Sequence, residues 1–401
     1  MIVEIKIEEL AIGNYVVEIV KQRGNYNLTK GGHIKNDNVI QNLAKKGVET
    51  LLIDTSKQLD VQTAPETAEQ QPSTDIPTEY EIRSSTTPVI LEINKARKLF
   101  KESKDIQRKV FDDALSGREI NMEAVTDVTN KTIDAIFKNP DSLACIINIR
   151  KKDEYLLEHS VSVSILMTIF SRFLKIDRSL VLELSIGAFL HDVGKIMIPD
   201  EILNKPGKLT DSEFEIMKSH VNHSIEVIEN TPDISKLSLE VAALHHEKLD
   251  GQGYPFQVPA ENISTYGRMI TICDIFDALT ANRVYKDGYS HVKAFSILRN
   301  LAQKDHLDTR LVDLFIKCMG VYPVGTLVEL HSNKLAIVES RNHEDPIRPK
   351  VRSFYNAQHH HYIMTQDIDL TKGDDHIIKG VRADDFDLDM NKIIEFLLME
   401  G

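Results

Sequence analysis

The middle of the chain has the hydrophobic pattern of a helical domain. Between residue 92 and about residue 318, apolar positions recur at three- and four-residue spacing, as in INKARKLFKESKDIQRKVFDDAL, which is the spacing of one face of an α-helix. The dipeptide Asn139-Pro140 predicts a break between two helices. The most apolar stretch, VSVSILMTIFSRFLKI, contains Arg172 and is too short to span a membrane, so we expect a buried helix there.

Strand-like patterns flank this helical region. The first 55 residues contain MIVEIKIEEL and NYVVEIVKQ, followed by a short helical segment, Gly47 and a further strand. After Tyr322 the pattern alternates again, and Ser332-Asn333 predicts the turn of a β-hairpin. The segment FDLDMNKIIEFLL predicts a final helix with an acidic cap near its start.

The region between residues 56 and 88 has few large apolar residues and many Gln, Thr, Ser, Pro and Glu residues. Such a composition cannot bury enough apolar surface to fold by itself, so it predicts a mobile linker. The patterns predict a mainly α chain with four regions: a small β-rich α+β domain at 1–55, a linker at 56–90, a helical domain at 91–320, and a C-terminal extension at 321–401.

Composition narrows the partners and the compartment. The net charge of −13 disfavours binding to DNA or RNA polymers, which needs a basic surface. The three cysteines are far apart and form no CxxC pair, which predicts inert core thiols in a reducing cytoplasm. The first residues carry acids where a signal peptide would be basic.

Histidine and aspartate residues recur near the ends of the apolar helical segments. Adjacent imidazoles are unfavourable in an apolar core, because each ring has polar nitrogens to satisfy. A helical bundle builds a metal site from such positions. Five histidines and two aspartates exceed the four ligands that one zinc ion takes, so the set predicts two metals with Asp192 between them. The set is His159, His191, Asp192, His220, His245, His246 and Asp274.

The predicted centre suits phosphoryl chemistry. Two neighbouring metals clamp the oxygens of a phosphoryl group, and a bound water has its pKa lowered to about 7. Nitrogen and oxygen ligands favour iron, manganese, nickel, cobalt or zinc. Lys195 is placed to reach a phosphate oxygen, and Arg283 and Lys286 are candidates to hold a second phosphate.

Two motifs here resemble those of the HD-GYP subgroup of the HD phosphohydrolase superfamily. HDVGK at 191–195 resembles the HD motif, and HHEKLDGQGYP at 245–255 agrees with the pattern HHExxDGxGYP at all eight specified positions. The order and spacing of the other candidate ligands are also similar over residues 94–318. The resemblance implies an HD-type helical bundle that hydrolyses the bacterial second messenger cyclic di-GMP to pGpG, in some members onward to GMP, and so affects motility and biofilm formation.

The resemblance also implies a role for each candidate residue. One metal would be surrounded by His159, His191, Asp192 and Asp274, and the other by Asp192, His220, His245 and His246. Iron or manganese is favoured for both. Lys195 would assist at the scissile phosphate, Arg283 and Lys286 would bind phosphate, Asp277 would line the substrate pocket, and Gly253, Tyr254 and Pro255 would form part of its wall.

Two residues depart from the family pattern, and the N-terminal domain has a similarity of its own. Some members hold a third metal with a Glu four residues before the first histidine, but Tyr155 stands there, so we expect two metals. Ser224 stands where Gly is expected after the third histidine, and we expect a slight change in helix packing. The N-terminal domain resembles an uncharacterised domain often found before HD-GYP modules in Proteobacteria, and this weaker similarity implies no chemistry.

The sequence leaves three functions open. The first is a cyclic di-GMP phosphodiesterase, for which no candidate ligand is missing. The second is a binding module that holds cyclic di-GMP, or docks a diguanylate cyclase through the GYP loop, with little turnover. The third is an HD phosphohydrolase acting on another nucleotide, which the GYP motif disfavours. The native metal, the end product, activity on 3′,3′-cyclic GMP-AMP and a homodimeric state also stay open.

Overall fold

A computed structural model of the protein describes residues 2–11, 14–23, 32–34, 40, 43–57, 89–148, 155–281, 288–342 and 344–399. The chain divides into two compact units, one within residues 1–71 and one within residues 72–401. The linker predicted at 56–90 lies almost entirely outside the described residues.

The N-terminal unit contains a four-stranded antiparallel sheet. Its strands are β1 (Ile2–Lys6), β2 (Tyr15–Gln22), β3 (Gly32–His33) and β4 (Val48–Asp54), in the order β1-β4-β2-β3. Val48, Leu51 and Ile53 of β4 pack with Val16 of β2 in a small apolar core. The predicted β-rich fold of this unit is therefore confirmed.

The second unit is built mainly from α-helices, as the three- and four-residue spacing predicts. The helices that precede its sheet are α1 (Val89–Leu115), α2 (Met122–Lys138), α3 (Pro140–Ile147), α4 (Tyr155–Phe173), α5 (Arg178–Leu190), α6 (Asp200–Leu203), α7 (Asp211–Lys218), α8 (His220–Glu229), α9 (Lys236–Leu244), α10 (Thr265–Thr280), α11 (His291–Ala302) and α12 (Thr309–Met319). One continuous apolar core joins them, and the mainly α fold class is confirmed.

Asn139 separates α2 from α3. Its N–H donates to the carbonyl oxygen of Ala135, and its side-chain oxygen accepts from the N–H of Asp141 at 3.1 Å, so it ends one helix and caps the next. Pro140 occupies the first position of α3, where an N–H has no intrahelical partner to lose. The predicted helix break is confirmed.

Helix α4 is the predicted buried helix, since every side chain from Glu158 to Ser171 is buried. Two of its hydroxyls donate to carbonyl oxygens: Ser164 to Ser185 on α5 and Thr168 to Ser164, both at 2.8 Å. Helix α5 packs between α4 and α9, while α10 packs on α4 and α9. Within the described ranges, no helix combines the length and the hydropathy that crossing a bilayer requires.

The C-terminal extension forms a five-stranded antiparallel sheet and a final helix. The strands are β5 (Leu327–Leu330), β6 (Lys334–Ser340), β7 (Lys350–Asn356), β8 (His361–Asp369) and β9 (Ile377–Val381), in the order β8-β7-β6-β5-β9. The predicted hairpin is β5–β6, with Asn333 at a positive φ in the turn. Helix α13 (Met390–Met399) begins after Asp389, whose side chain accepts from the N–H of Lys392, as predicted.

Buried positions explain the three cysteines. Cys145, Cys273 and Cys318 are free and buried, and burial raises the pKa of each thiol. Thiols that stay protonated are poor nucleophiles and poor metal ligands. The predicted inert role in the core follows.

Candidate metal centre

Five helices of the second unit bring the seven candidate ligands into one buried cluster. The ligands lie at helix ends or along the inner faces: His159 on α4, His191 and Asp192 directly after α5, His220 at the start of α8, His245 and His246 directly after α9, and Asp274 on α10. Two groups of three lie within reach of a single ion each, and these are His159, His191 and Asp192, and His220, His245 and His246.

Asp192 lies at the centre of this cluster. Its Oδ2 atom is 3.3 Å from Nε2 of both His159 and His191. Its Oδ1 atom is 3.4 Å from Nε2 of His220 and 3.7 Å from Nε2 of His245. Each carboxylate oxygen therefore faces a different pair of imidazoles, which is the arrangement of a bridging ligand.

Asp274 and Asp192 approach the same atom of His159, its Nε2. The Oδ1 atom of Asp274 is 3.0 Å from Nε2 of His159 and 4.0 Å from Nε2 of His191, while Oδ2 is 3.6 Å from Nδ1 of His246. The four-ligand group of His159, His191, Asp192 and Asp274 is thus assembled in space. Asp274 also approaches His246, so it lies near a ligand of the second group as well as those of the first.

Three imidazoles are oriented by carbonyl oxygens three residues earlier in the chain. A carbonyl only accepts, so the proton of each ring lies on Nδ1 and the lone pair lies on Nε2. The pairs are His191 with Ala188 at 2.7 Å, His220 with Met217 at 2.6 Å, and His245 with Ala242 at 2.6 Å. Local helix geometry therefore aims three lone pairs into the cluster.

These lone pairs meet other acceptors rather than donors. Nε2 of His220 and Nε2 of His245 are 3.3 Å apart. Nε2 of His191 and Oδ1 of Asp192 are buried and have no hydrogen-bond partner among the described residues. Burial lowers the pKa of His245 well below its usual range and that of His246 to about 3. His245 therefore does not supply a proton between its Nε2 atom and that of His220. Converging, desolvated acceptors fit a divalent cation.

The carboxylates of the cluster are ionised. Burial alone would raise the pKa of Asp192, but the neighbouring His191 and Lys195 outweigh it and hold this pKa well below its usual range. Burial opposes ionisation of Asp274 as well, and the hydrogen bond from His159 with the nearby histidines lowers its pKa instead. Two ionised carboxylates in a site with little water are unfavourable unless positive charge lies nearby, which also favours a bound cation.

Lys195 lies beside the cluster in the 3₁₀ turn Val193–Met197, and its ammonium donates to Oδ2 of Asp192. Burial would lower the pKa of Lys195, but Asp192 and Asp274 raise it, so the group is a fixed cation. Ser224, the predicted departure, has a specific use: its Oγ accepts from the N–H of Gly194 in the same turn at 2.9 Å. The hydroxyl therefore ties the turn that carries Lys195 to α8.

Asp277, predicted to line the substrate pocket, contacts a candidate ligand. Its side chain is completely buried, and its Oδ2 atom accepts from Nδ1 of His159 at 2.7 Å. Because Asp277 follows Asp274 by one helical turn, both carboxylates face the same imidazole from one helix. Asp277 therefore orients His159 with its Nε2 atom toward the cluster, and its predicted place in the pocket stays a prediction.

Replacing Asp277 with Ala is expected to lower metal affinity or turnover by about 10- to 100-fold, because an orienting partner of a ligand histidine is lost. Metal titration of the purified variant, with a thermal melt to verify folding, measures this. Asp277→Asn keeps an oxygen acceptor in the same place and should recover most of the loss. Wild-type metal affinity in the Ala variant would remove Asp277 from the centre.

Tyr155, four residues before His159, is the residue on which the expectation of two metals rests. The ring of Tyr155 stacks on that of His159, with centroids 5.5 Å apart and planes 20° apart. Glu158 points to α1, where its carboxylate accepts from Lys104 at 2.9 Å. The expected number of two metals stays a prediction.

The GYP loop, which contains Gly253, Tyr254 and Pro255, is held by Glu247. No role was predicted for Glu247 from the sequence. The buried carboxylate accepts from the N–H of Phe256 at 2.7 Å and from the N–H of Val258 at 3.1 Å. Gly253 packs on the same residue, and a Cβ atom there would lie 2.5 Å from Cα of Glu247. The signal was available in the sequence, since Glu247 directly follows the paired histidines in the motif.

Because Glu247 holds the loop in place, Tyr254 lies against the cluster. The ring of Tyr254 lies 4.6 Å from the ring of His246, and its N–H donates to the carbonyl oxygen of His246 at 3.2 Å. Burial raises the pKa of Tyr254, so its hydroxyl stays protonated. Gly253, Tyr254 and Pro255 thus lie next to the cluster, where a wall was expected. The predicted phosphate ligands Arg283 and Lys286 lie outside the described residues.

Glu247→Gln is expected to lower kcat/KM by roughly 10- to 100-fold while metal content stays at the wild-type level. An amide offers one acceptor where the carboxylate offers two, so one N–H of the loop is released and the wall beside His246 shifts. Steady-state kinetics and metal analysis of the same preparation measure both quantities. A fall in metal content would instead assign Glu247 to support of the paired histidines.

Comparison with known proteins agrees with the geometry. The HD domain family matches residues 143–311, and a domain of unknown function, DUF3391, matches residues 2–125. The cyclic di-GMP phosphodiesterase PA4108 of Pseudomonas aeruginosa is 33% identical over 375 residues, which cover 92% of this chain and 89% of that protein.

Two Vibrio cholerae proteins match about a third of this chain. A cyclic di-GMP phosphodiesterase is 42% identical over 136 residues, covering 32% of this chain and 27% of its own. The 3′3′-cGAMP-specific phosphodiesterase 2 is 43% identical over 130 residues, covering 32% of this chain and 24% of its own. Near-equal identity to relatives with different named substrates means that identity in this region does not choose between the two dinucleotides.

Proposed function

The chain belongs to the HD-domain family of cyclic di-GMP phosphodiesterases, and on that premise we propose that it hydrolyses cyclic di-GMP to the linear dinucleotide pGpG at a centre of two divalent metals. The observation that carries the proposal is the convergence of seven imidazole and carboxylate groups, six of them buried and His246 partly exposed, whose acceptor atoms face one another. Similarity to the Pseudomonas aeruginosa relative over 92% of the chain supports the same reaction.

The residues that would hold the metals divide around Asp192. One ion would be held by His159, His191, Asp192 and Asp274, and the other by Asp192, His220, His245 and His246. The donors are nitrogen and oxygen atoms, which suits iron or manganese, and nickel, cobalt and zinc accept the same donors. When bound, such a pair supplies an activated water and neutralises phosphoryl charge.

The chain's own residues bind and orient the phosphodiester. Lys195 is a buried cation next to Asp192, and we assign it to a non-bridging oxygen of the scissile phosphate. Tyr254 and the GYP loop exclude water beside His246. Arg283 and Lys286 are assigned to the second phosphate of the cyclic dinucleotide. Addition of water to phosphorus breaks the bond to the 3′ oxygen, which leaves with a proton, and a 5′-phosphate remains.

A second candidate substrate is 3′3′-cyclic GMP-AMP. The specific support is the 43% identity to the Vibrio cholerae 3′3′-cGAMP-specific enzyme over 130 residues. Both substrates have the same phosphodiester ring and differ in one base, so the cluster would serve either reaction. A second hydrolysis of pGpG to GMP would use the same groups.

The test is turnover of cyclic di-GMP, 3′3′-cyclic GMP-AMP and cyclic di-AMP at equal concentrations, with products separated by chromatography. We expect cyclic di-GMP to be cleaved fastest, with pGpG appearing before GMP. Preference for 3′3′-cyclic GMP-AMP would establish the second candidate. Metal-loaded protein that binds cyclic di-GMP without cleaving it would leave a sensor as the function.

We also propose a cytoplasmic location and a docking role for the GYP loop. The buried, unpaired cysteines agree with a reducing compartment. Phe256 follows Pro255 in the loop and is largely exposed, which suits contact with a diguanylate cyclase or with a second copy of the chain. Co-purification with and without Phe256→Ala, together with light scattering, tests both partners.

A further inference from the structure

An exposed aromatic side chain lies near the metal cluster and has no role in the account above. Phe214 on α7 is 45% exposed, and its ring meets that of Tyr254 edge-on, with centroids 6.1 Å apart and planes 83° apart. Single exposed apolar side chains are common on protein surfaces, so it is the contact with Tyr254 that links Phe214 to the site. Tyr254 belongs to the GYP loop, the predicted wall of the substrate pocket, so Phe214 continues this wall toward solvent.

The rings form a continuous path from the cluster to solvent. His246 lies 4.6 Å from Tyr254, and Tyr254 lies 6.1 Å from Phe214. Lys218 lies one turn after Phe214, and its ammonium is 5.4 Å from the centroid of Phe214 and 5.9 Å from that of Tyr254. These cation–π contacts hold both rings, and an ion pair with Glu215 at 2.7 Å fixes the ammonium from the other side.

A nucleobase is a flat π system that stacks on exposed aromatic rings, and a neighbouring cation strengthens its contact with base carbonyls. A nucleotide whose phosphate lies at the cluster directs its base away from it, past Tyr254. We propose that Phe214 is a stacking platform for one guanine base of the cyclic dinucleotide and that Lys218 positions the platform. The inference rests on the proposed function, since it names the part of the same substrate that Phe214 meets.

Kinetics of three variants test this assignment. Phe214→Ala is expected to raise KM for cyclic di-GMP roughly tenfold, with kcat changed less than about twofold, because base stacking contributes to binding and not to the chemical step. Cleavage of bis(p-nitrophenyl) phosphate, which has no base, should stay unchanged. Ile216→Ala is the matched control: Ile216 is 43% exposed on the same helix, and its truncation should leave both substrates unaffected.

A second readout does not depend on turnover. The chain contains no tryptophan, so Phe214→Trp introduces a single fluorophore at the platform and keeps a stacking surface. We expect cyclic di-GMP to quench its fluorescence, ribose 5-phosphate to leave it unchanged, and Ile216→Trp to respond to neither. The Trp variant should also keep a KM near the wild-type value.

The outcomes separate this inference from the proposed function. Wild-type cleavage of cyclic di-GMP with an unchanged KM in Phe214→Ala would overturn the platform alone. Equal losses on both substrates would assign Phe214 to folding of the loop and overturn it too. If the wild-type protein cleaves only bis(p-nitrophenyl) phosphate, the proposed function fails. Quenching of Phe214→Trp by guanine nucleotides would then still support the stacking platform, and no quenching would overturn it.

Discussion

Asp192→Ala is expected to abolish cleavage of cyclic di-GMP, with a fall of at least about a thousandfold in kcat, equivalent to roughly 4 kcal/mol of transition-state stabilisation. The reason is geometric, because Oδ2 faces His159 and His191 while Oδ1 faces His220 and His245. Removal of this carboxylate withdraws a ligand from both groups at once. It also removes the acceptor that fixes Lys195.

Metal analysis of the same variant separates loss of metal from loss of substrate positioning. We expect bound metal to fall below one ion per chain, and a melting curve of the variant checks that it is folded. Glu158→Gln is a suitable control, since Glu158 is a buried acid next to His159 that pairs with Lys104 outside the cluster. Retained turnover in Asp192→Ala would contradict the bridging role.

Gly194→Ala is expected to destabilise the protein by about 3 kcal/mol and to lower turnover by roughly a hundredfold. A Cβ atom at this position would lie 2.1 Å from the carbonyl oxygen of His220 and 2.4 Å from the backbone nitrogen of Ser224. Backbone atoms cannot rotate away, so α8 must move, and the His220 side chain moves with it. Chemical denaturation and steady-state kinetics measure the two effects.

Two further variants make the result specific. Gly380→Ala on β9 places a Cβ atom no closer than 3.9 Å to a neighbouring atom, so its stability should stay near that of the wild type. Ser224→Ala removes the hydroxyl that accepts from the N–H of Gly194 and should cost about 1–3 kcal/mol with a smaller effect on turnover. A Gly194→Ala protein that melts and turns over normally would show that the turn and α8 are not in close contact.

Four of the seven candidate ligands could be predicted because they lie in two motifs that follow apolar helices: His191, Asp192, His245 and His246. The other three, His159, His220 and Asp274, were predicted from their order and spacing relative to those motifs. Helical spacing also places Asp277 on the same face as Asp274, one turn later. Spacing along one helix does not determine which side of an imidazole from another helix a carboxylate approaches, and this is why the contact of Asp277 with His159 was not predicted. Its contact with His159 depends on how α10 packs against α4.

Long-range pairing limited the other predictions. The β5–β6 hairpin is local, so its turn was visible in Ser332 and Asn333, whereas the pairing of β5 with β9 joins strands almost fifty residues apart and has no local signal. Glu247 stands at a recognisable place in the motif, but its role was not predicted because its partners are backbone N–H groups, which every residue except proline offers. Phe214 carries no local signal, because its contact with Tyr254 joins residues that are far apart in the chain.

The most direct test of the account is the number of metal ions that cyclic di-GMP cleavage requires. Metal-free protein would be titrated anaerobically with Mn²⁺ or Fe²⁺, and bound metal and turnover would be measured on the same samples. The account predicts that two ions bind per chain and that turnover rises as the second ion binds. Full turnover with one ion per chain, or turnover that persists without bound metal, would contradict the two-metal centre around Asp192.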